Sequence, residues 1–209
     1  MKFVYRLVAA LLALAIIPSA YFLSFFYYSF DAGLLYVADE VYISDTVNSL
    51  SGNDSVIKDL LTGKSEILSS HGVEQIKPTL IIFVAFFALA LILSLIIFFF
   101  ALFSNKQGLI TALAGGGLAS MAGVYISFGH MAKMLTSGQI PLSSFFESQG
   151  LSFLLNLGIQ LADSILGLKA LRLTSATLIM TVLFAAIVIW GLAFILTDDS
   201  KEKVDKKAK

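Results

Sequence analysis

Ser127 and His130 stand three residues apart in a stretch of helical pattern, so one turn would bring a hydroxyl beside an imidazole. Such a couple has the residue types of a nucleophile and its base, as in attack on a lipid ester. Nothing else marks Ser127 as a nucleophile. The chain has no Gly-x-Ser-x-Gly elbow, no paired aspartates in an apolar run and no His-Glu-x-x-His. His130 has no second His, Asp or Glu within a helical turn, and the other histidine, His71, has only Glu74 nearby. Metal ligation needs more donors than that, so no metal or other cofactor is expected. His130 reads instead as a polar residue at the depth of lipid headgroups.

A second group of polar residues lies in the stretch from Leu151 to Leu171. Ser152, Asn156, Gln160, Asp163 and Ser164 fall at helical spacing on one side, with Leu154, Leu155, Leu161, Ile165 and Leu168 among the apolar positions. This predicts an interfacial amphipathic helix, with a further span as the rival reading. Asn156, Gln160 and Asp163 would line a pore if the chain formed an oligomeric channel, because an acid in apolar surroundings marks a functional site.

A third group is Gly115, Gly116, Gly117, Ser120 and Gly123. Its small-xxx-small spacing lets helix backbones approach closely. Packing within one bundle is the first reading, and a contact with a partner helix or a second copy is the other. It is not a phosphate loop, since no Lys-Ser or Lys-Thr follows.

The elements that must carry these residues are apolar. The 209 residues are 58% hydrophobic and 13% charged, with zero net formal charge and no cysteine. Soluble domains hold nearly twice that share of charge, about 25%. The balance leaves no basic field for nucleic acid. Missing cysteine removes disulfides, thiolate metal sites and lipid-modified cysteines.

Four apolar runs predict an all-α, four-helix membrane bundle of tetraspan layout. The runs are Leu7–Phe30, Thr79–Phe103, Leu109–Ala132 and Leu173–Thr197, none containing Asp, Glu, Lys or Arg. Lys2 and Arg6 before the first run imitate a signal peptide, but the run outlasts the usual apolar region of about 7–15 residues, so it reads as an uncleaved span. Pro18 predicts a kink there, and Pro78 suits the first position of the second helix. The turn Ser104–Gly108 forces the second and third spans into a hairpin. Outer segments 31–78 and 133–172 join the others. The first is acidic, with short amphipathic helices suggested around Val47, Leu50, Val56, Ile57, Leu60 and Leu61. The charged tail 198–209 reads as disordered.

Basic residues accumulate in cytoplasmic segments beside spans. With both ends inside, the inner segments hold eight basic and four acidic residues, and the outer segments six basic and ten acidic. Tyr5 and Trp190 would then lie toward the inner interface, and Tyr27 and Tyr28 at the outer one. Lack of cysteine and economical loops suit a bacterial plasma membrane.

The layout resembles that of claudin-like and other tetraspan proteins: four helices, a longer first outer loop, a short inner turn and a shorter second outer loop. The claudin-type Trp and paired Cys of the first loop are absent, as the sole Trp is Trp190. The resemblance therefore carries over no functional residues. Uncharged spans, the small-residue face and a small acidic loop together point to a non-enzymatic protein acting through contacts. Its partners would be the bilayer and a membrane protein or further copies of itself. A transporter or channel component, and then a lipid-acting enzyme, are the alternatives.

Overall fold

The computed structural model describes residues 2–31, 36–45, 71–104, 106–137 and 167–207. Four long helices dominate: α1 (Lys2–Phe22), α2 (His71–Phe103), α3 (Gln107–Thr136) and α4 (Ser175–Lys207). Each contains a stretch long and apolar enough to cross a membrane. Three strands accompany them, β1 (Ser24–Asp31), β2 (Tyr36–Tyr42) and β3 (Gly167–Leu173). They form one antiparallel sheet in the order β2-β1-β3.

The helices pack in a closed square. α1 touches α2 and α4, and α3 touches the same two, so neighbours in sequence are neighbours in space. At one end of the square, Arg6 of α1 donates its Nε–H to the Ala101 carbonyl at 2.8 Å and a terminal N–H to the Leu102 carbonyl. These are among the last carbonyls of α2, which has no basic residue in its own last turn. The guanidinium thus supplies from α1 both the missing donors and the positive charge that a helix C-terminus favours. Nearby, the Tyr5 and Thr111 hydroxyls lie 3.1 Å apart and join α1 to α3.

Small residues on α3 and α4 permit the close packing. A Cβ added to Gly117 would stand 2.3 Å from the Phe184 ring of α4, and one on Gly123 would stand 2.5 Å from the Phe86 ring of α2. A Cβ on Gly191 would lie 2.1 Å from Thr111 Oγ1 and 2.8 Å from the Tyr5 hydroxyl. In each case a bulky neighbour occupies the space a side chain would need. Polar groups inside the bundle are satisfied locally. Ser94, Thr111, Ser120, Ser127 and Thr177 are buried, and each hydroxyl donates to a carbonyl three or four residues earlier in its own helix or, for Thr177, to the residue just before it. Among the described residues no buried side-chain N or O lacks a partner, as an apolar surround demands. The outward faces stay apolar, for example Ile81, Ile92 and Phe99 on α2 and Leu178, Val182 and Ile189 on α4.

The helical bundle expected from the sequence is present, but its elements differ from the expected ones in four places. The first helix ends at Phe22, and Ser24–Phe30, expected inside that span, belongs to the strand Ser24–Asp31. Its alternation was hidden because both faces are apolar or aromatic, and such residues favour strands. At 21 residues α1 is about 31 Å long, close to a hydrocarbon thickness of about 30 Å. Pro18 lies inside α1, where the Ser19 hydroxyl donates to the Ala15 carbonyl at 2.7 Å. α2 starts at His71, so Pro78 lies inside it rather than at its first position. Residues 167–171, expected to close an amphipathic helix, belong to β3, so the all-α expectation misses the sheet. Finally, α4 continues to Lys207 where a disordered tail was expected. The suggested helices around Val47–Leu61 lie outside the described residues.

The packing generates a paired expectation. Gly117→Val should lower stability in detergent by about 1–3 kcal/mol, the usual cost of overpacking. Gly115→Ala should be neutral or slightly stabilising, since nothing lies within 4 Å of its added Cβ. Thermal unfolding of both variants checks this, and equal losses would contradict the packing described.

Candidate functional site

The sheet sits at the end of the bundle opposite Arg6, because β1 continues from α1 and β3 leads into α4. Leu23 is the bend between α1 and β1. A junction of hydroxyls and backbone then fastens the two connections together. Ser24 Oγ and Ser175 Oγ lie 2.9 Å apart, Thr174 Oγ1 donates to the Ser24 carbonyl at 2.7 Å, and the Thr174 N–H donates to the Phe25 carbonyl at 3.2 Å.

A register irregularity between Ser24 and Phe26 changes which side chains meet the bundle. In a regular strand two consecutive phenylalanines would point to opposite faces, and a bulge breaks that rule. Phe25 and Phe26 both pack inward. The Phe25 ring is 4.9 Å from Phe87 and 6.0 Å from Phe83, and Phe26 is 6.3 Å from Phe128. Phe83 and Phe128 are themselves 5.7 Å apart. Leu171 and Leu173 of β3 join this cluster, so the inner face of the sheet is a lid of rings and leucines over α2 and α3.

The other face is polar and aromatic. Glu40, Tyr27 and Arg172 occupy one row across the three strands. The Arg172 guanidinium lies 4.8 Å from the centre of the Tyr27 ring, a cation–π contact. The Tyr27 and Tyr36 hydroxyls are 2.9 Å apart, and the Tyr42 hydroxyl donates to Glu40 Oε2 at 3.3 Å. Above all this bond to Tyr36, and then desolvation, pushes the Tyr27 hydroxyl above its ordinary range. The charge of Glu40 does the same to Tyr42, helped by desolvation and by Asp45 and Asp39. Tyr and Arg are the residue types enriched at protein interfaces.

The sequence-selected residues lie elsewhere. Gly117 and Gly123 face Phe184 and Phe86, Gly116 lies 3.5 Å from Leu93, and Gly115 faces open space. Ser120 is buried and donates to the Gly116 carbonyl at 2.9 Å. Ser127 is buried, with its hydroxyl on the Gly123 carbonyl at 2.7 Å, whereas His130 is exposed near the end of α3. The structure therefore does not bring the two together as a nucleophile and base. Asn156, Gln160 and Asp163 lie outside the described residues. Among the described residues no three His, Cys, Asp or Glu side chains gather as a metal site would require.

Nothing in their sequence surroundings marks Tyr36, Glu40 and Arg172 as a site. Tyr36-Val37-Ala38-Asp39-Glu40-Val41-Tyr42 and Leu168-Lys169-Ala170-Leu171-Arg172-Leu173 do not alternate cleanly between apolar and polar residues, so neither carries a clear period of two. The chain matches no protein family, no curated protein and no solved structure.

The tyrosine pair supplies a test. With its folded-state value raised, neutral Tyr27 contributes stability below about pH 10, and that contribution is lost as pH rises through the raised value. In Tyr36→Phe the Tyr27 titration should fall back toward its ordinary range. Carbon-13 NMR of the tyrosine ring carbons, assigned with Tyr27→Phe, measures it. An unchanged titration would contradict the pairing.

Proposed function

We propose that the chain is a multi-pass membrane protein that acts by protein–protein contacts, as an accessory subunit or as an assembly or scaffolding factor. The observation that carries this reading is the contrast between the bundle and the sheet. Among the described residues the buried polar side chains of the bundle are those of Ser and Thr together with the Tyr5 hydroxyl, all engaged within the protein, with no Asp, Glu, Lys, Arg or His among them. Proton relays and ion-coupled pathways place ionisable groups there. The sheet, by contrast, presents Tyr27, Tyr36, Glu40 and Arg172 on a face built from two separate segments.

The lipid-enzyme reading loses support, because the Ser127 hydroxyl is held by its own helix. The membrane is best read as a bacterial plasma membrane with both chain ends in the cytoplasm. Arg6 and Lys106 then lie at the inner end of the bundle, as the charge rule favours, and the sheet lies outside.

Purification from native membrane in mild detergent, with mass spectrometry, tests the contact reading. The expected result is a stoichiometric partner or a species of several copies. A chain that always emerges alone and monomeric would overturn it. For orientation, a reporter active only outside the cytoplasm should be silent when fused after Lys209, and activity there would reverse the proposed topology.

A further inference from the structure

We infer that the two edges of the sheet are contact surfaces for a second copy of this chain, set so that β2 of one copy lies beside β3 of the next. The inference rests on the contact reading above and names its partner. Among the described residues no strand lies along the outer edge of β2 or of β3. Over the described residues each edge is the side of its strand that β1 does not pair, and such an edge is a template for strand addition.

The two edges carry opposite charge. β2 contains Asp39 and Glu40 and no cation, while β3 contains Lys169 and Arg172 and no carboxylate. Asp39, Glu40 and Arg172 are exposed. Two β2 edges would set carboxylates against carboxylates, and two β3 edges cations against cations. Like charges directly opposite destabilise a strand pair and opposite charges stabilise it. Charge thus disfavours both two-fold arrangements and selects the head-to-tail one. Charged edges also serve to repel stray strands, but that role is better met by one sign on both edges, and here the signs differ.

Strand direction agrees. β2 and β3 each run antiparallel to β1, so they run parallel to each other. Both hang from the same end of one bundle. Copies sharing one orientation in a bilayer therefore present β2 and β3 side by side as a parallel pair. Repetition of this contact closes a ring or extends a row.

The absence of cysteine makes the test direct. Ala38 of β2 and Ala170 of β3 both stand opposite Ser29, on either side of β1. Ala38→Cys and Ala170→Cys are made as separate full-length chains and treated in native membranes with a bismaleimide of about 10 Å span, roughly two strand spacings. Co-expressed, they should give a crosslinked dimer, and each alone should give none. Adding Glu40→Lys to the Ala38→Cys chain should cut the product about fivefold, the effect of one unfavourable cross-strand pair. Arg172→Glu in the other chain should restore it.

Dimers from either variant alone would overturn the head-to-tail arrangement. So would a co-expressed pair that gives no dimer although both cysteines react with a monofunctional maleimide. If those cysteines instead link to a different protein, self-association fails and the contact reading stands. If nothing is linked and the chain purifies as a monomer, both fail.

Discussion

The backbone ladder between β1 and β3 joins parts of the chain about 140 positions apart, while β2 pairs on the other edge of β1 as its neighbour in sequence. Ser24 and Thr174, 150 positions apart, share a hydrogen bond where β1 begins and β3 ends. α1 and α4 each leave the bundle through that junction. Their packing against one another, and the position of the aromatic lid over α2 and α3, depend on it. Without β1 in the middle, β2 and β3 would each be a lone extended segment, and an isolated strand or hairpin is marginal in water.

The bundle supports the sheet by a different means. Among the described residues its helices are joined by the Tyr5–Thr111 pair, the long Tyr125–Thr177 contact at 3.5 Å and the Arg6 cap. Cohesion comes from shape: rings of Phe184 and Phe86 seated on Gly117 and Gly123, and the Tyr5–Thr111 pair seated on Gly191. Serine and threonine hydroxyls fold back on their own helices and leave nothing unsatisfied between them. The rigid part of the protein thus carries little that could react, and the chemically varied part is held outside it.

The sequence made some of this legible. Four helices followed from four long runs without charge, and the turn at Ser104 fixed α2 against α3. The spacing of Gly116–Ser120 and Ala119–Gly123 suggested close helix contact, and the tight approaches in α3 fall at Gly117 and Gly123. Gly191 gave no such signal, since its role comes from Tyr5 and Thr111 on two other helices. β1 was hidden inside an apolar run, where a strand with two apolar faces has no period to read. β3 was hidden because Leu168, Leu171 and neighbouring apolar residues also satisfy a helical spacing. The bulge that turns both Phe25 and Phe26 inward has no sequence mark at all. The row Glu40–Tyr27–Arg172 was therefore out of reach, because it exists only once three strands are in register.

The most direct test of this account is the separation of β2 and β3. Nitroxide spin labels at Ala38→Cys and Ala170→Cys in one chain, diluted with unlabelled protein, report that distance through dipolar broadening. Two strand spacings place the backbones about 10 Å apart, so the expected spectrum stays strongly broadened after dilution. An unbroadened spectrum, or broadening that disappears on dilution, would show that the two segments do not share β1, and the account would fail.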